Sequence, residues 1–167
     1  MFVWLGRINH CRGFGIQSPT DYRFVRYVIN ERAPYYAYEW LGIGQTWYQR
    51  KLGLLYFRLV NERQPSVVVD RVGMADYLKA GCKKCTLTDK IDGKVQMAIV
   101  SIEDDIPTLF NNCDEHSMVI IQDIWRHKSL WRKVVKDHRT VVSFDLYYCG
   151  VVLFDQHQSK KNYIVNF

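Results

Sequence analysis

Ser66-Val-Val-Val-Asp70-Arg-Val-Gly-Met-Ala-Asp-Tyr77 is the stretch on which the fold turns. Pro65 stops the helical segment before it, and three valines follow without a break. A short continuous β-branched run between helical segments is the pattern of a parallel strand buried on both faces. An acid closes the strand, Gly73 follows three places later, and Met74 to Ala80 reads as a short helix that Gly81 ends. Strand, turn and helix in that order start a βαβ unit.

The chain before this stretch reads as helical. Ser18-Pro19-Thr20-Asp21 is a helix start, with Ser18 as cap, Pro19 in the first turn and Asp21 where a capping-box acid belongs. Phe24, Val25, Val28 and Ile29 follow at helical spacing. Pro34 to Leu41 reads as a short aromatic helix ended by Gly42 and Gly44, and a longer helix runs from Thr46 to Glu62 on a stripe of Leu52, Leu55 and Leu59. After Tyr77 the pattern repeats. Strands are predicted over Cys85–Asp89, Gln96–Ser101 and Met118–Asp123, and helices over Ile106–Cys113 and His127–Lys136. Two further strands, Thr140–Tyr147 and Gly150–Asp155, form a hairpin turned at Cys149-Gly150, and Asn162–Phe167 is a last strand. The expected fold is α/β: one Rossmann-like open sheet, mostly parallel with an antiparallel C-terminal edge. Residues 1–64 form a helical segment packed on a core of residues 65–167.

Composition narrows the class. Hydrophobic residues make up 48% of the chain, enough for a packed core. No run of about 18 apolar residues suggests a membrane span. The apolar start Met1–Leu5 stops at Gly6-Arg7, so no secretory signal is expected. With that start, an odd number of cysteines implies free thiols in the cytoplasm. Cys82-Lys-Lys-Cys85 has no second ligand pair to complete a zinc site, so both cysteines are read as core residues. The net charge of +6 is spread along the chain and is read as a solvated basic surface, with nucleic acid as the alternative partner.

Several segments carry a resemblance. Gly13-Phe-Gly-Ile-Gln-Ser-Pro19, Pro34-Tyr-Tyr-Ala-Tyr-Glu39, Leu54-Leu-Tyr-Phe-Arg-Leu-Val-Asn61, Val119-Ile-Ile-Gln-Asp-Ile124 and Asp145-Leu-Tyr-Tyr-Cys-Gly-Val-Val-Leu-Phe154 resemble a group of uncharacterised Bacteroidetes proteins of the class I S-adenosylmethionine-dependent methyltransferase-like family. The chain resembles a shortened member, with less sequence before Thr46 and after Asp89, so one edge strand of the core is expected to be missing.

That resemblance implies where a cofactor would lie. Open α/β sheets bind ligands beyond the carboxyl ends of their strands. The family's first strand runs into an acid and a glycine-rich loop, which lets the backbone approach the cofactor. Asp70 keeps the acid and Gly73 is the one glycine left, one place out of register, while Arg71, Val72 and Met74 add bulk. Asp89, at the end of the second strand, stands where the family's ribose-binding acid would be, and Asp-x-x-Asp-Gly is equally ordinary turn chemistry. Metal-dependent O-methyltransferases use an acid after the next strand and an acidic pair after the following one. Here those positions read Ser101 and Gln122-Asp123, so no metal is expected. Asp123 and His127 are the remaining catalytic candidates, His127 as a general base. Tyr35, Tyr36, Tyr38 and Trp40 form an aromatic group read as packing against the sheet, or, if exposed, as a patch for a partner. The expected function is a non-catalytic methyltransferase-like protein with a binding or scaffold role and an impaired cofactor site. The alternatives are an active S-adenosylmethionine-dependent enzyme and a basic nucleic-acid-binding module. A protein partner or a homodimer paired through the exposed second strand is a further expectation.

Overall fold

The computed structural model describes residues 6–10 and 13–167; the apolar start Met1–Leu5 and Cys11 lie outside the described residues. Strand β1 is Val67–Asp70, and its central valines, Val68 and Val69, are buried in two different apolar cores. Successive strand residues point to opposite faces, so a strand apolar at both positions requires cover on both sides of the sheet.

Among the described residues that cover comes from five α-helices. On the first face lie α1 (Pro19–Phe24), α2 (Trp47–Arg63) and α3 (Ala75–Gly81), packed on Val68, Met97, Ile99, Met118 and Phe144. On the second lie α4 (Ile106–Asn111) and α5 (Lys128–Lys136), packed on Val69, Ala98, Val119, Ile121 and Val152. The remaining strands are β2 (Thr86–Thr88), β3 (Val95–Ser101), β4 (Cys113–Gln122), β5 (Val142–Asp145), β6 (Cys149–Leu153) and β7 (Lys161–Ile164). Their order across the sheet is β2-β1-β3-β4-β6-β5-β7. Every neighbouring pair is parallel except those that β6 makes with β4 and β5. Residues 89–94 lead from β2 back past β1 into β3 without a helix, and the three-residue β2 is one edge of the sheet. Among the described residues no helix is long and apolar enough to cross a membrane.

The hairpin differs from its expected form in two ways. Its returning strand is not an edge: β6 lies between β4 and β5, and the edge is β7, parallel to β5. The burial pattern gives the reason, since Cys149, Val151 and Val152 are wholly buried whereas β7 alternates between half-buried and exposed. The strand that is apolar on both sides takes the interior place. The turn is also made earlier than Cys149-Gly150. Tyr147 adopts φ +72°, and the Leu146 amide donates to the Cys149 carbonyl across 2.9 Å. Gly150 belongs to β6, where a Cβ would stand 2.3 Å from the Trp131 indole; the glycine gives α5 its seat on the sheet.

Helix α1 begins as expected at Ser18, whose hydroxyl accepts from the Asp21 amide. Asp21 does not act as a capping-box acid. It is 2% exposed and accepts from the Tyr163 hydroxyl at 2.9 Å and the Lys161 ammonium at 3.3 Å, which ties α1 to β7. The helix continues as one wide turn over Val25–Ile29. The carbonyls of Val28 and Ile29 accept from the buried Arg58 guanidinium of α2, both at 2.8 Å. Terminal helix carbonyls lack a partner within the helix, and a cation there also meets the negative end of the helix dipole. Helix α2 carries a complete capping box, Thr46 with Gln49. The aromatic segment before it is a 3-10 turn, Tyr36–Glu39, and the group divides: Tyr35 and Tyr38 pack on Phe57, while Tyr36 and Trp40 face solvent.

Replacing Arg58 by Met keeps most of the stem and leaves two buried carbonyls without donors. We expect a loss of about 3 kcal/mol in urea unfolding; an unchanged midpoint would mean that those carbonyls find other donors. A pH dependence follows from Tyr163. Burial first, and then its bond to Asp21, raise the phenol from 10.0 to about 12. The fold favours the neutral phenol, so this contribution is whole below pH 10 and is lost as pH rises through about 12. The urea midpoint of the Tyr163→Phe variant should therefore fall less steeply across that window than that of the parent chain.

Candidate functional site

The carboxyl ends of β1, β2, β3 and β4 meet along one rim of the sheet, where an open α/β fold presents ligand-binding groups. β1 ends at Asp70. One oxygen of its carboxylate accepts from the amides of Val72 and Gly73 at 3.1 and 3.0 Å, and the other from the Met74 amide at 2.9 Å. Three amides therefore hold the acid against its own loop, which leads into α3. Gly73 adopts φ +73°, a left-handed conformation that the turn requires, and the space where its Cβ would stand is open.

The bulk expected in this loop is distributed unevenly. Met74 is buried in the first core and Val72 packs against it, so neither lies over the crevice. Arg71 does. Its amide extends the pairing with β3 by donating to Ile99, and its side chain crosses the strand ends. Nε donates to the Asp89 carbonyl at 3.0 Å, and Nη1 meets Asp104 at 3.4 Å. The arginine thus bridges the turn after β2 to the turn after β3. Asp89 is exposed, and its carboxylate makes no hydrogen bond among the described residues. Asp70 and Asp89 are neighbours at the rim, but they do not face one shared pocket: one carboxylate turns into the loop, and Arg71 lies on the backbone of the other.

The acids beyond β3 are engaged in local structure. Asp104 accepts from the Ser101 amide at 2.7 Å, Asp105 caps α4 through the Thr108 amide, and Glu103 pairs with His127 at 2.8 Å. His127 is therefore held by a carboxylate at the start of α5. Among the described residues no three His, Cys, Asp or Glu side chains are grouped to hold one metal ion. The oxygen of Gln122 accepts from the buried Tyr56 hydroxyl at 3.0 Å.

Asp123 has a structural part. It adopts φ +64°, its amide donates to the Tyr148 carbonyl, and its carboxylate accepts from the Tyr48 hydroxyl at 2.8 Å and pairs with Arg126 at 3.3 Å. It joins the end of β4, helix α2 and the β5–β6 turn. Burial, then the bond to Asp123, push the Tyr48 phenol well above its ordinary range, so it stays a neutral donor. Around this junction stand Tyr48, which the sequence places beside the apolar stripe of α2, and aromatic residues that sequence reading gave no role: Trp47, Trp125, Tyr147 and Tyr148. Arg7 pairs with Asp145 at 2.7 Å and covers the Tyr147 ring at 5.2 Å. The Tyr147-Tyr148 pair at the hairpin tip was the available signal. Cys82 and Cys85 are buried free thiols of the first core, in keeping with their reading as core residues.

The Asp70 cap makes a local prediction. In Asp70→Ala the amides of Val72, Gly73 and Met74 lose their acceptor, and their hydrogen exchange should quicken by about tenfold or more while core amides in β3 change far less. Equal rates in the two proteins would show that the carboxylate does not hold the loop.

The chain matches no protein-family model, no curated protein and no solved structure.

Proposed function

We propose that this chain is a shortened methyltransferase-like domain that has exchanged cofactor binding for a binding or scaffold role. The observation that carries this reading is Arg71, which lies across the turns after β2 and β3 where a nucleoside would have to rest. Asp70 adds to it, since its carboxylate is committed to three amides of its own loop. The mostly parallel sheet, the terminal hairpin and the short edge strand β2 agree with a shortened form of the family's sheet. The residues at the rim do not fit S-adenosylmethionine: a bound adenosyl group would have to displace a guanidinium held at two points.

The reading of an active enzyme draws on two features of the same rim, the open space over Gly73 and the unengaged Asp89 carboxylate. Calorimetric titration with S-adenosylmethionine and S-adenosylhomocysteine at millimolar ligand separates the two. We expect no saturable heat from the parent chain. A saturable response that Asp89→Ala abolishes would overturn the proposal and restore the enzyme.

A further inference from the structure

The second face of the sheet is not fully covered. Its apolar core extends from β1 to Val152 of β6 and includes no residue of β5 or β7. On that face the buried Ser143 of β5 donates to the exposed Asn162 of β7 at 2.9 Å, and Ile164 beyond them is 48% exposed. Helix α5 runs beside this polar floor. Trp131 and Val134 anchor it to the sheet, while Lys128, Arg132 and Lys136 recur every fourth residue and line the resulting groove. The groove has a volume of about 460 Å³ and is closed at one end by Arg7, Trp125 and Tyr147.

Charge is concentrated here. Between residues 126 and 139 the chain carries Arg126, Lys128, Arg132, Lys133, Lys136 and Arg139 against the single acid Asp137. Asp137 is taken by Arg139 at 2.7 Å, and Asp145, the acid that lines the groove, is taken by Arg7. Lys128, Arg132 and Lys136 are exposed and make no ion pair among the described residues. Three unneutralised cations along one wall form a site for a polyanion with regularly spaced charges. The rings at the end of the groove narrow the choice. Trp125 and Tyr147 stack at 6.1 Å with their planes 16° apart; the guanidinium groups of Arg126 and Arg7 lie over the two rings at 5.1 and 5.2 Å, and both rings are partly exposed. Flat rings beside a cationic wall are what an unpaired base and its phosphate require. A duplex keeps its bases within its grooves, and a lipid surface is flat and does not enter a concavity with a polar floor.

We infer that the groove between α5 and strands β5 and β7 binds a single-stranded nucleic acid, with phosphates along Lys128, Arg132 and Lys136 and a base against the Trp125–Tyr147 pair. This site lies apart from Asp70, Arg71 and Asp89, so its success or failure is independent of what the cofactor crevice does.

Fluorescence anisotropy with a labelled oligouridylate, read across a salt series, tests it. We expect saturable binding that weakens with salt. The Lys128→Glu/Arg132→Glu/Lys136→Glu variant should lose affinity by about tenfold or more, and its salt slope should fall by about 2, since each phosphate contact on a single strand contributes about 0.7. The milder Lys128→Gln/Lys136→Gln variant should show the same trend. Lys83→Glu/Lys84→Glu/Lys90→Glu carries an equal charge change near the β2 edge and should bind within about twofold of the parent chain. Binding should also quench a fluorescence component that Trp125→Phe removes. No binding, equal losses in the two Glu variants, or tighter binding to phosphatidylserine vesicles or polyglutamate than to the oligonucleotide would each overturn the inference.

Discussion

Val68 and Val69 are neighbours in the chain and belong to different cores. A strand with no polar side has to be covered twice, and the rest of the architecture follows from meeting that demand with five helices. The first face is covered amply. Helix α2 is buried through its middle, from Leu52 to Val60, Arg58 fastens the α1 segment to it, and Gly53 and Gly81 let α3 come close; at Gly53 a Cβ would stand 2.3 Å from the Tyr77 ring. Among the described residues the second face has only the short helices α4 and α5, and its apolar core reaches no further than β6. What lies beyond them is polar at Ser143, which is buried, and at Asn162, which is exposed. The same shortage of helix that leaves Asn162 and Ile164 exposed also gives α5 a free basic side.

Two ends of the molecule therefore have different characters. At the carboxyl rim near β1 the polar groups other than the Asp89 carboxylate satisfy one another. Asp70 holds its own loop, Arg71 bridges Asp89 and Asp104, and Glu103 holds His127. Such pairing uses the groups that a ligand would otherwise engage, and burying an adenosyl group there would leave a guanidinium and its partners unsatisfied. At the α5 groove Lys128, Arg132 and Lys136 have no ion-pair partner among the described residues. A site whose charges are already matched resists a ligand, and one whose charges are unmatched favours a counter-charge from outside. This contrast supports a binding role over catalysis at the crevice.

Much of the fold was legible in the sequence. The strands at β1 and β3, the Ser18 and Thr46 helix starts and the stop at Pro65 lie within a residue or two of their expected places, while β4 begins at Cys113, five residues before the expected Met118. Those signals are local: β-branched runs, caps and prolines act through their own backbone. The errors were of another kind. Asp21 reads as a capping acid, but Tyr163, far along the chain, claims its carboxylate. Gly150 reads as a turn residue, but it sits in a strand because an indole presses on it. The basic side of α5 was equally present in the sequence. A search for unbroken charge runs passes over it, because helical spacing interleaves Lys128, Arg132 and Lys136 with the apolar anchors Trp131 and Val134.

By itself, then, the sequence determined which segments become strands and helices, and that the central strands must be covered on both faces, since these depend on residue type and on spacing along a few turns of chain. Only the tertiary structure decided that β6 enters the sheet between β4 and β5, that Arg71 rather than Val72 or Met74 lies over the crevice, and that Asp123 ties α2 to the hairpin. Each of these is set by competition among groups distant in the chain for one buried place or one hydrogen-bonding partner, and the outcome depends on which of them the assembled fold brings within reach.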